Sequence, residues 1–192
     1  MYNSFDCDPP GGRRDETRRA LGIVDERLVL MPTRAIARKN IAGAIALATA
    51  LGATLWLLGP AEDGYGPVLD GLINDTSVPI LRGLAEGFDV HDAYGASDLV
   101  VMPSTWEGFG NPVLESVTHQ RALAAYPYPV LEEIRAFDFR FFSLSDIEAL
   151  DSFLEHPDEA LLAHNLDVAR QHFNVATLEE RLATLLGSMN VH

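Results

Sequence analysis

The chain has 192 residues, an apolar fraction of 47% and a formal net charge of −14. That length suits one domain able to bury a core, while the charge argues against nucleic acid and anionic membrane surfaces, both of which reward clustered Lys and Arg. Cys7 is the single cysteine, so no intrachain disulfide is possible, a reducing compartment fits, and its acidic neighbours do not favour a thiolate.

In chain order, residues 1–20 read as a polar leading segment, rich in Pro and Gly around DPPGGRR, with no secretory signal after Met1. Residues 21–192 read as the domain proper. Short apolar runs then alternate with helical patterns. The strand candidates are 28–31, 53–58, 78–81, 98–102, 121–125 and 139–142, each brief and poorly alternating, as expected of strands covered on both faces. Helices are expected near 40–51, 65–74, 89–96, 112–119 and 129–136. Further helices near 146–155, 157–172 and 177–187 follow from Ser145–Glu148 and Thr177–Glu180, which fit the Ser/Thr-x-x-Glu capping pattern. Residues 41–61 carry no charge over a length that meets the rule for a membrane helix. Gly52 divides them into an Ala-rich helix and the strand ATLWLL, which favours a soluble, cytoplasmic chain.

Strand alternating with helix implies right-handed crossovers and a parallel sheet, hence a doubly wound, Rossmann-like α/β domain with extra C-terminal helices. Ligands of such sheets sit beyond the carboxyl ends of the strands, which singles out the loops at 32–39, 59–64, 82–88 and 103–111. The last of these opens STWEGFGNPVLES. Asn111 is a good N-cap and Pro112 suits the first helical turn, so a helix end should offer N–H groups and a positive dipole to an anion. Gly108 and Gly110 allow close backbone approach. Glu107 and Glu115 would repel a phosphate and suit neutral hydroxyls on either side of it, the pattern of a nucleoside diphosphate sugar. Spacing alone is met more simply by a solvated loop acid and a first-turn carboxylate favoured by the dipole.

The first of these loops reads PTRAIARKN, with Arg34 and Lys39 five apart and Lys39 the only lysine of the chain. Guanidinium and ammonium both suit phosphate; an ordinary basic turn fits as well. His91 reads as helix-surface or packing, His119, His156, His164, His172 and His192 lack metal spacing, and the aromatic run FDFRFF reads as core. GPAEDGYGP does not fit a dinucleotide fingerprint, and neither a nucleophile elbow nor a P-loop is present.

Together, EGFGNPVLE, MPTRAIARKN, GASDLVVMPSTWEGFGNPVLESV and YPVLEEIRAF resemble the donor domain of family 4 (group 1) retaining glycosyltransferases, over roughly residues 20 to 145 and in the right order. The resemblance implies half of a GT-B fold that binds a nucleoside diphosphate sugar. Arg34 and Lys39 would then hold the diphosphate and stabilise the charge of the departing group. Glu107 would contact the transferred sugar, the backbone at Gly108, Phe109, Gly110 and Asn111 would meet sugar or phosphate oxygens, and Glu115 would hold the ribose. The base would lie near RGLAEG, from Arg82. No metal is expected. Departures are Pro32 and Thr33 where the family has Gly, and Gln120 where Gly is usual. The length matches one of two GT-B domains, YNSFD resembling the start of the second, so the isolated chain is expected to bind its donor and transfer little. Two further readings stay open, a non-catalytic docking or regulatory module and a GT-B sugar-nucleotide epimerase.

Overall fold

A computed structural model describes residues 3–178 together with 182, 183 and 186. Most of the helix expected at 177–187, with Glu180 of its capping pattern, falls outside the described residues.

The strands are β1 (Leu28–Met31), β2 (Thr54–Leu57), β3 (Ile80–Arg82), β4 (Leu99–Met102), β5 (Ala122–Ala125) and β6 (Phe142–Ser143). They form one sheet in the order β3-β2-β1-β4-β5-β6, parallel at every pairing. This is a doubly wound sheet, and its strand order reverses between β1 and β4. The helices are α1 (Arg14–Ala20), α2 (Ile41–Ala50), α3 (Gly66–Asn74), α4 (Val90–Ala96), α5 (Asn111–Thr118), α6 (Pro129–Arg135), α7 (Ile147–Glu155) and α8 (Glu159–Phe173).

The absence of alternation in the strands has a direct physical cause. Every residue of β1, β2, β4 and β5 is buried. Leu28, Leu30, Trp56, Val100, Met102 and Leu123 face one apolar cluster with α4, α5 and α6. Val29, Met31, Leu55, Leu57, Leu99 and Val101 face the other with α2, α3 and α7. Alternate side chains thus enter different cores. The α8 helix serves both, with Leu162 in the second cluster and Leu166, Ala169 and Phe173 in the first. The uncharged run 41–61 divides as its glycine implied: α2 ends at Ala50, Gly52 turns at φ 59°, and β2 follows. Among the described residues no helix is long and apolar enough to cross a membrane.

Four local expectations are corrected. Residues 1–20 hold α1, which sequence reading missed because its RDETRRA is almost wholly polar; ion pairs and hydrogen bonds from Arg13, Arg14 and Arg18 to Asp92, Asp98 and the carbonyls ending α4 anchor it. Cys7 is buried there, and desolvation pushes its thiol up. Asn111 does not cap α5. It is the first helical residue, and the cap position is Gly110 at φ 79°, a left-handed conformation glycine adopts without strain. The α7 helix is capped by Asp146, whose side chain accepts from Ala149 N–H, rather than by Ser145. Of the strand expected at 139–142, only Phe142 lies in β6; Phe139 and Phe141 are buried in the first core instead.

Candidate functional site

At the strand-order reversal the loops after β1 and β4 converge. Thr105 N–H and its hydroxyl both donate to the Arg38 carbonyl, at 3.0 and 3.3 Å, and the Asn40 amide donates to the Pro103 carbonyl. Asn40 is left-handed at φ 52° and caps α2 by accepting from Gly43 N–H. These contacts hold a crevice of about 410 Å³ lined by Pro32, Thr33, Arg34, Lys39, Glu107, Phe109, Gly110, Asn111 and Pro112.

At its base Lys39 and Glu107 are both buried, at 7% and 6% exposure, and the Lys39 ammonium donates to Glu107 Oε1. Arg38 Nη1 donates to Glu107 Oε2 at 2.9 Å and to the Trp106 carbonyl, and its guanidinium lies 5.8 Å from the exposed Trp106 ring. Burial alone would raise the Glu107 carboxyl, but interactions with Lys39, Ser104 and Arg38, that with Lys39 first, outweigh it and hold the group below its ordinary value. Arg34 turns outward to Glu62, 2.6 Å away across exposed surface. It lines the same crevice as Lys39 without touching Glu107. A Cβ at Gly59 would come within 2.6 Å of the Thr33 and Arg34 backbone, so only glycine there lets the two loops pack. The Thr33 and Tyr128 hydroxyls are buried without a partner among the described residues. The Tyr128 hydroxyl lies beneath Gly110, where a Cβ would approach it to 2.6 Å.

Glu115 sits one turn into α5, half-buried, and its Oε2 accepts from the Tyr94 hydroxyl at 2.7 Å. Phe109, which lines the crevice, stacks on Phe5 at 5.9 Å between centroids. Arg82 is not brought to this crevice; it ends β3, more than half exposed, 3.7 Å from Asp70. The loop after it is pinned by the buried Trp56, whose indole donates to the Gly83 carbonyl at 2.7 Å. His91 pairs with His119 rather than lying free. Among the described residues no group of three or more His, Cys, Asp and Glu is placed to hold a metal ion.

Of the residues singled out in the sequence, Arg34, Lys39, Glu107, Phe109, Gly110 and Asn111 line this crevice and Gly108, Glu115 and Arg82 do not, while Arg38, Tyr94 and Glu62, which contact them, were not singled out. Arg38 carried a signal, being a second cation beside the only lysine. Tyr94 and Glu62 carried none, since their partners lie on other elements. A larger depression of about 630 Å³ lies at the opposite end of the sheet, lined by Arg14, Arg18, Arg19 and Arg27. Arg14 and Arg18 there already serve Asp98 and the carbonyls ending α4, and Arg27 serves Asp151 and Leu51, so little of its positive charge is available to a ligand.

No protein-family model matches the chain. Mannosylglucosylglycerate synthase of Thermotoga maritima is 27% identical over 112 residues, 47% of this chain and 26% of that protein. HepE of Anabaena, solved in complex with UDP, superposes with a TM-score of 0.79 at 24% identity, over 98% of this chain and 57% of HepE. The C-terminal domain of LpcC, a group 1 glycosyl transferase of Francisella tularensis, superposes at 0.72 and 20% identity, over 89% of this chain and 99% of that domain. The chain thus has the fold of the C-terminal half of a GT-B glycosyltransferase, and it spans little more than half the length of HepE.

Proposed function

We propose that this chain is the donor-binding domain of a retaining glycosyltransferase and that its crevice takes the diphosphate of a nucleoside diphosphate sugar. The observation that carries the reading is the buried Lys39–Glu107 pair, set under the Gly108–Gly110 turn at the reversal of strand order. A buried ion pair contributes little net stability compared with apolar side chains of similar size. Its retention beside a glycine turn and a helix N-terminus suits a site where both signs of charge meet one ligand. HepE, with the same fold, has been solved with UDP and with UDP-glucose.

In this reading the Lys39 ammonium and the Arg34 guanidinium neutralise the diphosphate as the bond from the sugar carbon to its oxygen breaks and the electron pair leaves with phosphate. The α5 N-terminus adds partial positive charge. Glu107 accepts from sugar hydroxyls with the lone pairs that Lys39 and Arg38 leave open, and Glu115 accepts from the ribose. These cations and the helix end supply the charge stabilisation that a metal ion supplies elsewhere. The acceptor would approach from the open side, towards the exposed Trp106, with a second domain as partner. Calorimetric titration of UDP, GDP and ADP into the folded chain tests the reading. Binding of at least one, lost in Lys39→Met, is expected; no heat from any of the three would overturn it.

A further inference from the structure

The contacts behind Glu115 extend this reading, on which the inference rests. Glu115 would be a poor ribose ligand if its carboxylate turned freely, because an unfixed carboxylate loses rotamer entropy when it binds. Tyr94, wholly buried on α4, donates its hydroxyl to Glu115 Oε2 at 2.7 Å. The other oxygen, Oε1, accepts no hydrogen bond from a described residue. Burial and the facing carboxylate push the Tyr94 phenol well above its ordinary value, so the hydroxyl keeps its proton and remains a donor.

The Tyr94 ring is itself held. The His119 ring stacks on it, 4.6 Å between centroids at an interplanar angle of 18°. His119 Nδ1 lies 2.7 Å from the Glu115 backbone carbonyl. A carbonyl only accepts, so Nδ1 carries the proton and donates. In the neutral ring Nε2 is then an acceptor and faces His91 Nδ1 at 2.9 Å. Side chain and backbone of one residue are thus both gripped, through Tyr94 and through His119. Tyr94 packs in the first core with Ala93, Ala96, Val113 and Val117, so its ring serves the fold while its hydroxyl serves Glu115.

We propose that Tyr94, braced by His119, is a positioning residue that presents one oxygen of Glu115 to a nucleoside with free ribose hydroxyls, so that the site takes ribonucleotides in preference to deoxyribonucleotides. Tyr94 touches no ligand and acts through Glu115.

The test compares UDP, GDP and ADP with their 2′,3′-dideoxy counterparts in calorimetric titrations of the wild type, Tyr94→Phe, Glu115→Ala and the double variant. The wild type should favour the ribose form by about tenfold or more, the scale of one hydrogen bond to a charged acceptor. Tyr94→Phe should lose most of that preference with its affinity for the dideoxy form unchanged, and should add no further loss to Glu115→Ala. A general loosening of the fold would instead weaken both ligands alike. His119→Ala should reduce the preference about threefold, and His119→Phe, which keeps the stack, should restore it; this pair stays informative if Tyr94→Phe fails to fold. A preference untouched by Tyr94→Phe, or by His119→Ala, overturns the inference, as does a wild type that binds both forms equally. Failure of every nucleoside diphosphate to bind overturns the underlying reading instead.

Discussion

Replacing Lys39 by Met removes a buried ammonium and leaves Glu107 with Arg38 as its remaining cationic partner. Glu107 is only 6% exposed, and losing one member of a buried pair costs about 3–5 kcal/mol. Arg38 still donates to Oε2 at 2.9 Å, which puts the expectation at the lower end, about 3 kcal/mol. Glu107→Leu should cost about as much or more, because it leaves the Lys39 ammonium buried without a counter-charge. The double variant Lys39→Met/Glu107→Leu removes both charges and should return to within about 1 kcal/mol of the wild type. Urea unfolding at neutral pH supplies the cycle. The pair also carries a pH signature. Glu107 is held below its ordinary value of 4.5, so its stabilisation is present above about pH 4.5 and is lost as pH falls through the lowered native value. That part of the acid slope should vanish in Glu107→Leu. Single variants that each cost under about 1 kcal/mol and add independently would refute the reasoning, since that is the behaviour of a solvated pair.

Glu62→Ala frees Arg34 from an exposed partner, so stability should stay within about 0.5 kcal/mol while UDP affinity rises about two- to threefold by calorimetry; weaker binding would mean that Glu62 orients Arg34 instead of competing for it. Gly110→Ala places a methyl 2.6 Å from the Tyr128 hydroxyl in a left-handed residue, and should cost about 1–3 kcal/mol in thermal unfolding. Thr33→Val removes a buried hydroxyl with no partner among the described residues; stability should be unchanged or up to about 1 kcal/mol higher, and a clear loss would show that the hydroxyl is satisfied.

Much of this was legible in the sequence because its causes are local. The runs LVLM and LVVM are uniformly apolar because each strand faces a core on both sides, and a parallel sheet pointed to the loops after them as the place for a ligand. Lys39 stood out in a chain that otherwise uses Arg. What escaped depended on partners far along the chain. The α1 helix has no apolar stripe to read and is fastened by Asp92 and Asp98, about eighty residues on. Arg82 fitted a loop at the right strand end, yet its side chain runs outward to Asp70. The cap of α5 fell on Gly110 because a left-handed residue ends the glycine turn, leaving Asn111 to accept from Asn3. Glu115 was singled out by its spacing and by the family resemblance, whereas its contacts with Tyr94 and His119 are visible only in three dimensions.

The central claim is tested most directly by a crystal structure of the chain with a bound nucleoside diphosphate. The account predicts the diphosphate between Arg34, Lys39 and the Gly108–Gly110 turn, with the ribose at Glu115. A ligand seated in the arginine-lined depression at the opposite end of the sheet, with Lys39 and Glu107 still paired and untouched, would contradict it.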